Sequence, residues 1–93
     1  MALLTSEQVE RLLAGLSGWR REGPAISKRF DRGDFAGSVE FVNRLTPVAE
    51  ELNHHPDLAI SWRTVTVSIT THSQGGLTER DFDLARRIDA LAA

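Results

Sequence analysis

The sequence predicts an α+β domain of order αββαββα: a four-stranded antiparallel sheet with helices packed on one face. Three observations predict it. Apolar residues recur every three to four positions in three separate stretches. Between those stretches they switch to strict alternation, in two pairs of short runs. Within each pair the runs lie only a few residues apart, which suits a hairpin and is too short for a parallel crossover. A chain of 93 residues buries about 60–65% of its unfolded surface, enough for one core and not for two. Residues 1–93 are therefore read as a single domain.

Thr5 and Gln8 have the spacing of a capping box, and Val9, Leu12, Leu13 and Leu16 follow at helical spacing before Gly18. A helix is predicted over residues 5–15. Trp19-Arg20-Arg21-Glu22 and Ile26-Ser27-Lys28-Arg29-Phe30 then flank the turn-forming pair Gly23-Pro24, predicting a short hairpin. Ile26, Lys28 and Phe30 share one face of its second strand. Lys28 interrupts that apolar face, so the strand is expected to lie at an edge or to carry the amine out to water.

Asp34 is the expected N-cap of a longer helix, with Phe35, Val39, Val42, Leu45, Ala49 and Leu52 as its buried stripe. Phe41 and Val48 fall outside that stripe. Pro47 lies within the pattern and removes a backbone donor, which predicts a kink, or a restart capped by Thr46. The helix should end near Asn53, because His55 precedes Pro56 and is steered away from helical backbone angles. Leu58, Ile60 and Trp62 alternate with polar or small residues, as do Val65, Val67 and Ile69, with a tight turn expected near 61–64. Gln74-Gly75-Gly76 ends the pattern. Thr78 caps a last helix, with Asp81 three residues on and Phe82, Ala85, Ile88 and Leu91 as its apolar stripe.

Composition removes several classes of function. The chain is 41% hydrophobic and 26% charged with a formal net charge of −2, and its basic residues are interspersed with acidic ones, so no nucleic-acid partner is expected. It has no cysteine, which excludes disulfides, thiolate metal sites and cysteine nucleophiles. No basic segment precedes an apolar run at the N-terminus, so no signal peptide is indicated. No uninterrupted apolar run reaches the ~18 residues that would suggest a membrane span. The expected location is cytoplasmic.

Chemistry concentrates between Glu50 and Asp81. All three histidines, His54, His55 and His72, fall there, and an imidazole with a pKa near about 6.5 can give or take a proton at working pH. Glu50 lies four residues before His54, where its carboxylate could accept a ring N–H and fix the tautomer. Pro56 stiffens the corner that carries His54 and His55, and the following hairpin should return His72 beside His55. Three histidines with an open position also describe catalytic zinc. Adjacent histidines diverge, however, and the spacing is neither His-x-His nor His-x-x-x-His, so no metal is expected. Gln74-Gly75-Gly76-Leu77-Thr78 reads as a turn and an N-cap rather than an anion cradle. Trp19 and Trp62 read as core or interface residues.

The two blocks Glu50-x-x-x-His54-His55-Pro56 and Thr71-His72-x-x-x-Gly76-Leu77-Thr78-x-x-Asp81-x-x-Leu84-Ala85 closely resemble the pterin-4a-carbinolamine dehydratase family. That resemblance implies the same αββαββα fold. It also implies removal of water from 4a-hydroxytetrahydrobiopterin to give quinonoid dihydrobiopterin, in tetrahydrobiopterin recycling, by histidine acid–base catalysis and without a cofactor. Carried over by position, His54, His55 and His72 are its site histidines and Glu50 supports His54. Pro56, Thr71, Ser73 and Gln74 complete the substrate-binding set. The family's members join sheets and helices into dimers or tetramers, so a homodimer or homotetramer is expected. Two alternatives accompany this reading: a protein-binding dimerisation or regulatory cofactor, and a dehydratase of a different reduced pterin.

Overall fold

Each helix begins where the sequence supplies a cap. In the computed structural model, which describes residues 2–93, the first helix α1 (Ser6–Ala14) is opened by a reciprocal capping box. Thr5 Oγ1 accepts from Gln8 N, and Gln8 Oε1 accepts from Thr5 N at 2.8 Å. Asp34 opens α2 (Phe35–Leu52) by accepting from Gly37 N at 2.7 Å. Gly37 is required there, because a Cβ would stand 2.2 Å from Arg32 O. Thr78 opens α3 (Glu79–Ala92) with Asp81 as its capping-box partner.

Between the helices lie β1 (Arg20–Glu22), β2 (Ala25–Asp31), β3 (Asp57–Ser61) and β4 (Thr64–Ile69), in the sheet order β1-β2-β4-β3 with every pairing antiparallel. The element order is αββαββα, an α+β fold. Ile26 lies opposite Ile69, Lys28 opposite Val67 and Phe30 opposite Val65. These residues face the helices, and Phe41, Leu45, Phe82, Leu84 and Ile88 close the core over them.

Several expectations change. β2 is an interior strand, and Lys28 neither marks an edge nor simply trails into water. Its Nζ lies 2.9 Å from Asp89 Oδ1 and donates to Ser17 O at 2.8 Å, so α3 and the α1–β1 loop neutralise and cap it. Trp19, also part of the core, donates its indole N–H to the same Asp89 carboxylate. The helical backbone of α2 continues through Pro47. Thr46 is no cap there, because its hydroxyl donates back to Val42 O at 2.8 Å.

The buried stripe of α2 is also rotated from the expected one. Phe41 is fully buried, whereas Phe35 and Val39 are exposed and Val48 packs against the core from its margin. The rotation has a local cause. Polar Ser38 occupies a core-facing position because its hydroxyl satisfies Trp62 O at 2.8 Å. At the other edge of the sheet, Leu58 and Ile60 sit on the helix side of β3, opposite Val67 and Val65, yet both remain exposed. Trp62, at the β3–β4 turn with φ +53°, is 68% exposed. Among the described residues, no helix is long and apolar enough to cross a membrane.

Candidate active site

The C-terminus of α2 sets the geometry. Asn53 takes the left-handed conformation (φ +48°), its N–H reaches Glu50 O, and His54 N–H reaches Ala49 O, each at 3.1 Å. These two bonds form a Schellman motif, which closes the helix and turns the chain sharply. The next carbonyls, Leu52 O and Asn53 O, accept from Arg80 Nη2 at 3.1 and 2.6 Å. All the exit carbonyls named here thus have donors, and the corner that carries His54 and His55 is tied to α3.

The β3–β4 hairpin then carries the chain out and back. Asp57 pairs with Ser68 and Ser61 with Thr64, so the chain beyond β4 returns to the level of Pro56. A single 3₁₀ turn, His72–Gln74, closed by left-handed Gly75 (φ +72°) and a Thr71–Gly76 bridge, places His72 at the same end. The three histidines therefore line one cavity of about 240 Å³, together with Asn53, Thr70, Thr71, Ser73 and Arg80.

Of the residues singled out in the sequence, His54, His55, Thr71, His72 and Ser73 line this cavity, whereas Glu50, Pro56 and Gln74 do not. The expected Glu50–His54 pair is not formed. Glu50 bonds instead to His55 Nε2, and both of those side chains are exposed. The left-handed turn at Asn53 is the reason, since it lifts His54 off the helical face that Glu50 shares.

His54 is paired from a different quarter. It is 7% exposed, and its Nε2 lies 2.6 Å from Asp81 Oδ1, a carboxylate with no exposure at all. A carboxylate only accepts, so this bond puts the ring proton on Nε2 and leaves Nδ1 as the basic nitrogen. Asp81 is itself held. Its Oδ2 accepts from Thr78 N and from Thr71 Oγ1, each at 2.8 Å, and the Thr78 hydroxyl donates on to Thr71 Oγ1 at 2.9 Å. The residue that caps α3 is thus the same residue that orients His54. Its spacing from Thr78 disclosed the cap, but the role toward His54, 27 residues away in sequence, had no local signal. Arg80, Thr70 and Asn53 likewise went unmarked.

The same N-cap bonds exclude an anion cradle at α3, because the Thr78 and Arg80 N–H groups are already taken up by Asp81 and Thr78. Among the described residues, no three histidine or carboxylate side chains are arranged to hold a metal ion.

Comparison with known proteins gives this arrangement a context. A family model described as pterin 4 alpha carbinolamine dehydratase matches residues 2–91. A protein of Thermosynechococcus vestitus named "Putative pterin-4-alpha-carbinolamine dehydratase" is 49% identical over 89 residues, covering 96% of this chain and 94% of its own. A protein of the same name from Nocardia farcinica is 48% identical over 90 residues, covering 97% and 95%. Among solved structures, a transcriptional coactivator/pterin dehydratase from Brucella melitensis superposes with a TM-score of 0.95 at 33% identity, covering 99% of this chain and 100% of the other. A pterin dehydratase-like protein identified as a RuBisCO assembly factor of the alpha-carboxysome superposes with a TM-score of 0.67 at 28% identity, covering 81% and 87%. With the motif blocks, the fold and nearly the whole length in agreement, the chain belongs to the pterin-4-alpha-carbinolamine dehydratase family.

Proposed function

We propose that this chain, acting as a single cytoplasmic domain, dehydrates 4a-hydroxytetrahydrobiopterin to quinonoid dihydrobiopterin and so serves tetrahydrobiopterin recycling. The observation that carries the reading is the buried Asp81–His54 pair opening onto a cavity shared with His55 and His72. Dehydration of a carbinolamine breaks one C–O bond and one N–H bond. A proton goes to the departing oxygen, which leaves as water, and a proton leaves the ring nitrogen as the C=N bond forms. Two imidazoles in opposite protonation states do both, and each proton transfer contributes about 10²–10⁴ in rate.

Asp81 holds His54 in the tautomer whose Nδ1 accepts, so His54 takes the ring-nitrogen proton. His72 delivers the proton to the hydroxyl. His55, steadied by Glu50 at the rim, holds the pterin alongside Thr71 and Ser73, while Pro56 stiffens the corner and Gln74 completes the turn. No step in this scheme calls on a metal or redox cofactor. Following the decay of freshly generated carbinolamine by absorbance, with and without the protein, tests the reading, and replacing the side chain of the pterin tests its preference among reduced pterins.

A second reading concerns partners. Phe35 and Val39 on α2 and Leu58, Ile60 and Trp62 on β3 and its turn are all exposed, and β3 is an edge strand with one unpaired backbone edge. Exposed apolar side chains beside an open strand edge favour association. We assign this surface to a second copy of the chain, in a homodimer or homotetramer. Association with a different protein, the regulatory alternative, is separable by measuring the mass of the pure protein in solution.

A further inference from the structure

The sheet face turned away from the helices carries a second cavity that the dehydratase reading does not use. Arg20 lies opposite Ser27, and Arg29 lies opposite Thr66. Directly opposed residues in antiparallel strands share a face, as do residues two apart in one strand. Ser27 and Thr66 thus form a floor of small hydroxyl side chains, and the two arginines stand beside it. They line a cavity of about 340 Å³ with Gly18 and Lys28, and it shares no residue with the histidine cavity.

Its charge is compensated only in part. No acidic side chain lines it. The Lys28 ammonium is neutralised by Asp89 on the helix side. Arg20 makes one long contact, 3.5 Å to the exposed Glu22, and Arg29 is in no ion pair among the described residues. Ser27 adds a hydroxyl to the lining. It is only 4% exposed, it lines the cavity, and its hydroxyl has no hydrogen-bond partner among the described residues. The hydroxyl oxygen itself is not sealed from solvent, so it is open to a ligand seated in the cavity.

We propose that this cavity binds a phosphate group, either free or as the monoester end of a small metabolite. Guanidinium donors from β1 and β2 and hydroxyls from β2 and β4 line the cavity together. A tetrahedral oxyanion with three terminal oxygens accepts from all of them, whereas the two oxygens of a planar carboxylate leave one side unused. The chain as a whole is acidic, with a net charge of −2, so binding here rests on the local site and not on general attraction of anions.

Calorimetric titration with inorganic phosphate and with ribose 5-phosphate, at constant ionic strength, tests the proposal. The expected result is saturable one-site binding, weakened on the order of tenfold by Arg29→Gln, further weakened when Arg20→Gln is added, and unchanged by His72→Ala. Tighter binding of the ester identifies a phosphorylated metabolite, and equal binding identifies the free ion. Arg29→Lys, which keeps the charge, should retain part of the affinity and guards against a folding defect in the glutamine variant. Absence of saturable heat, binding that survives the double glutamine substitution, or binding abolished by His72→Ala would each overturn the assignment.

Discussion

His54 Nε2 lies 2.6 Å from Asp81 Oδ1, joining the end of α2 to the first turn of α3 through two buried side chains. One carboxylate therefore serves two ends. It caps α3 through Thr78 N, and it fixes the tautomer of a histidine that faces the cavity. Capping of the helix and orientation of His54 rest on the same side chain.

Asp81→Asn separates the charge from the shape. The amide offers one acceptor oxygen where the carboxylate offered two, so either the Thr71 and Thr78 donors or the His54 N–H loses its bond. Leaving one buried donor unsatisfied costs about 1–3 kcal/mol, a loss readable in thermal melts. Turnover should fall by about 10²-fold or more, a larger change than the melt explains. If the variant melts early but dehydrates at the wild-type rate, Asp81 is only a cap.

Glu50→Gln tests the other carboxylate. Both members of the Glu50–His55 pair are more than half exposed, and exposed pairs contribute about 0–1 kcal/mol. Stability should be nearly unchanged and turnover should drop by less than about tenfold, most of it as a rise in KM. A collapse of kcat to the level of Asp81→Asn would move the orienting role back to Glu50.

These two carboxylates also show how far the sequence could be read. The three histidines, the hairpin that returns His72, and the Thr78–Asp81 cap were legible because each rests on local spacing. The Glu50–His54 pairing followed from the same rule and failed, because Asn53 leaves the helical region one residue before His54 and ends the periodicity that the rule needs. Asp81 reaches His54 only through the packing of α3 on α2. On α2, Ser38 hid the phase of the stripe. Its hydroxyl is buried against Trp62 O, so a polar residue marks the core side while Phe35 and Val39 face out. Hydropathy alone cannot see a hydrogen bond 24 residues away.

Far from the histidines, the Asp31–Arg63 pair makes stability depend on pH. Arg63 donates to the Asp31 carboxylate through Nε and Nη2 at 3.0 and 3.2 Å, and Gly33 N adds a third bond. The guanidinium hydrogen bonds, then the backbone donor, hold the Asp31 carboxyl below its ordinary value of 3.8. A depressed folded-state pKa stabilises the fold above the unfolded value, and that contribution is lost as pH falls through the folded one. Wild type should therefore melt slightly above Asp31→Asn at pH 6, and the gap should close as pH drops below about 3.8. A gap that widens in acid would contradict the pairing. Salt should shrink it at neutral pH.

Association is tested at the edge strand. Ile60→Lys places a charge among Leu58, Trp62 and the exposed residues of α2 while leaving the core side of β4 intact. Light scattering after size exclusion should show the wild type as a dimer or tetramer and the variant shifted toward monomer, with an unchanged circular dichroism spectrum. A monomeric wild type would remove the assignment to a second copy and favour a different protein partner for that surface.

The proposed dehydration of a pterin carbinolamine rests on a carboxylate-oriented His54 and on His72 in the same cavity. Its most direct test is the absorbance decay of freshly generated 4a-hydroxytetrahydrobiopterin with wild type, His54→Ala and His72→Ala. Wild type should accelerate the decay over buffer, and either variant should lose about 10²–10⁴ in kcat. Decay no faster than in buffer with the wild type, or full activity in both variants, would contradict it.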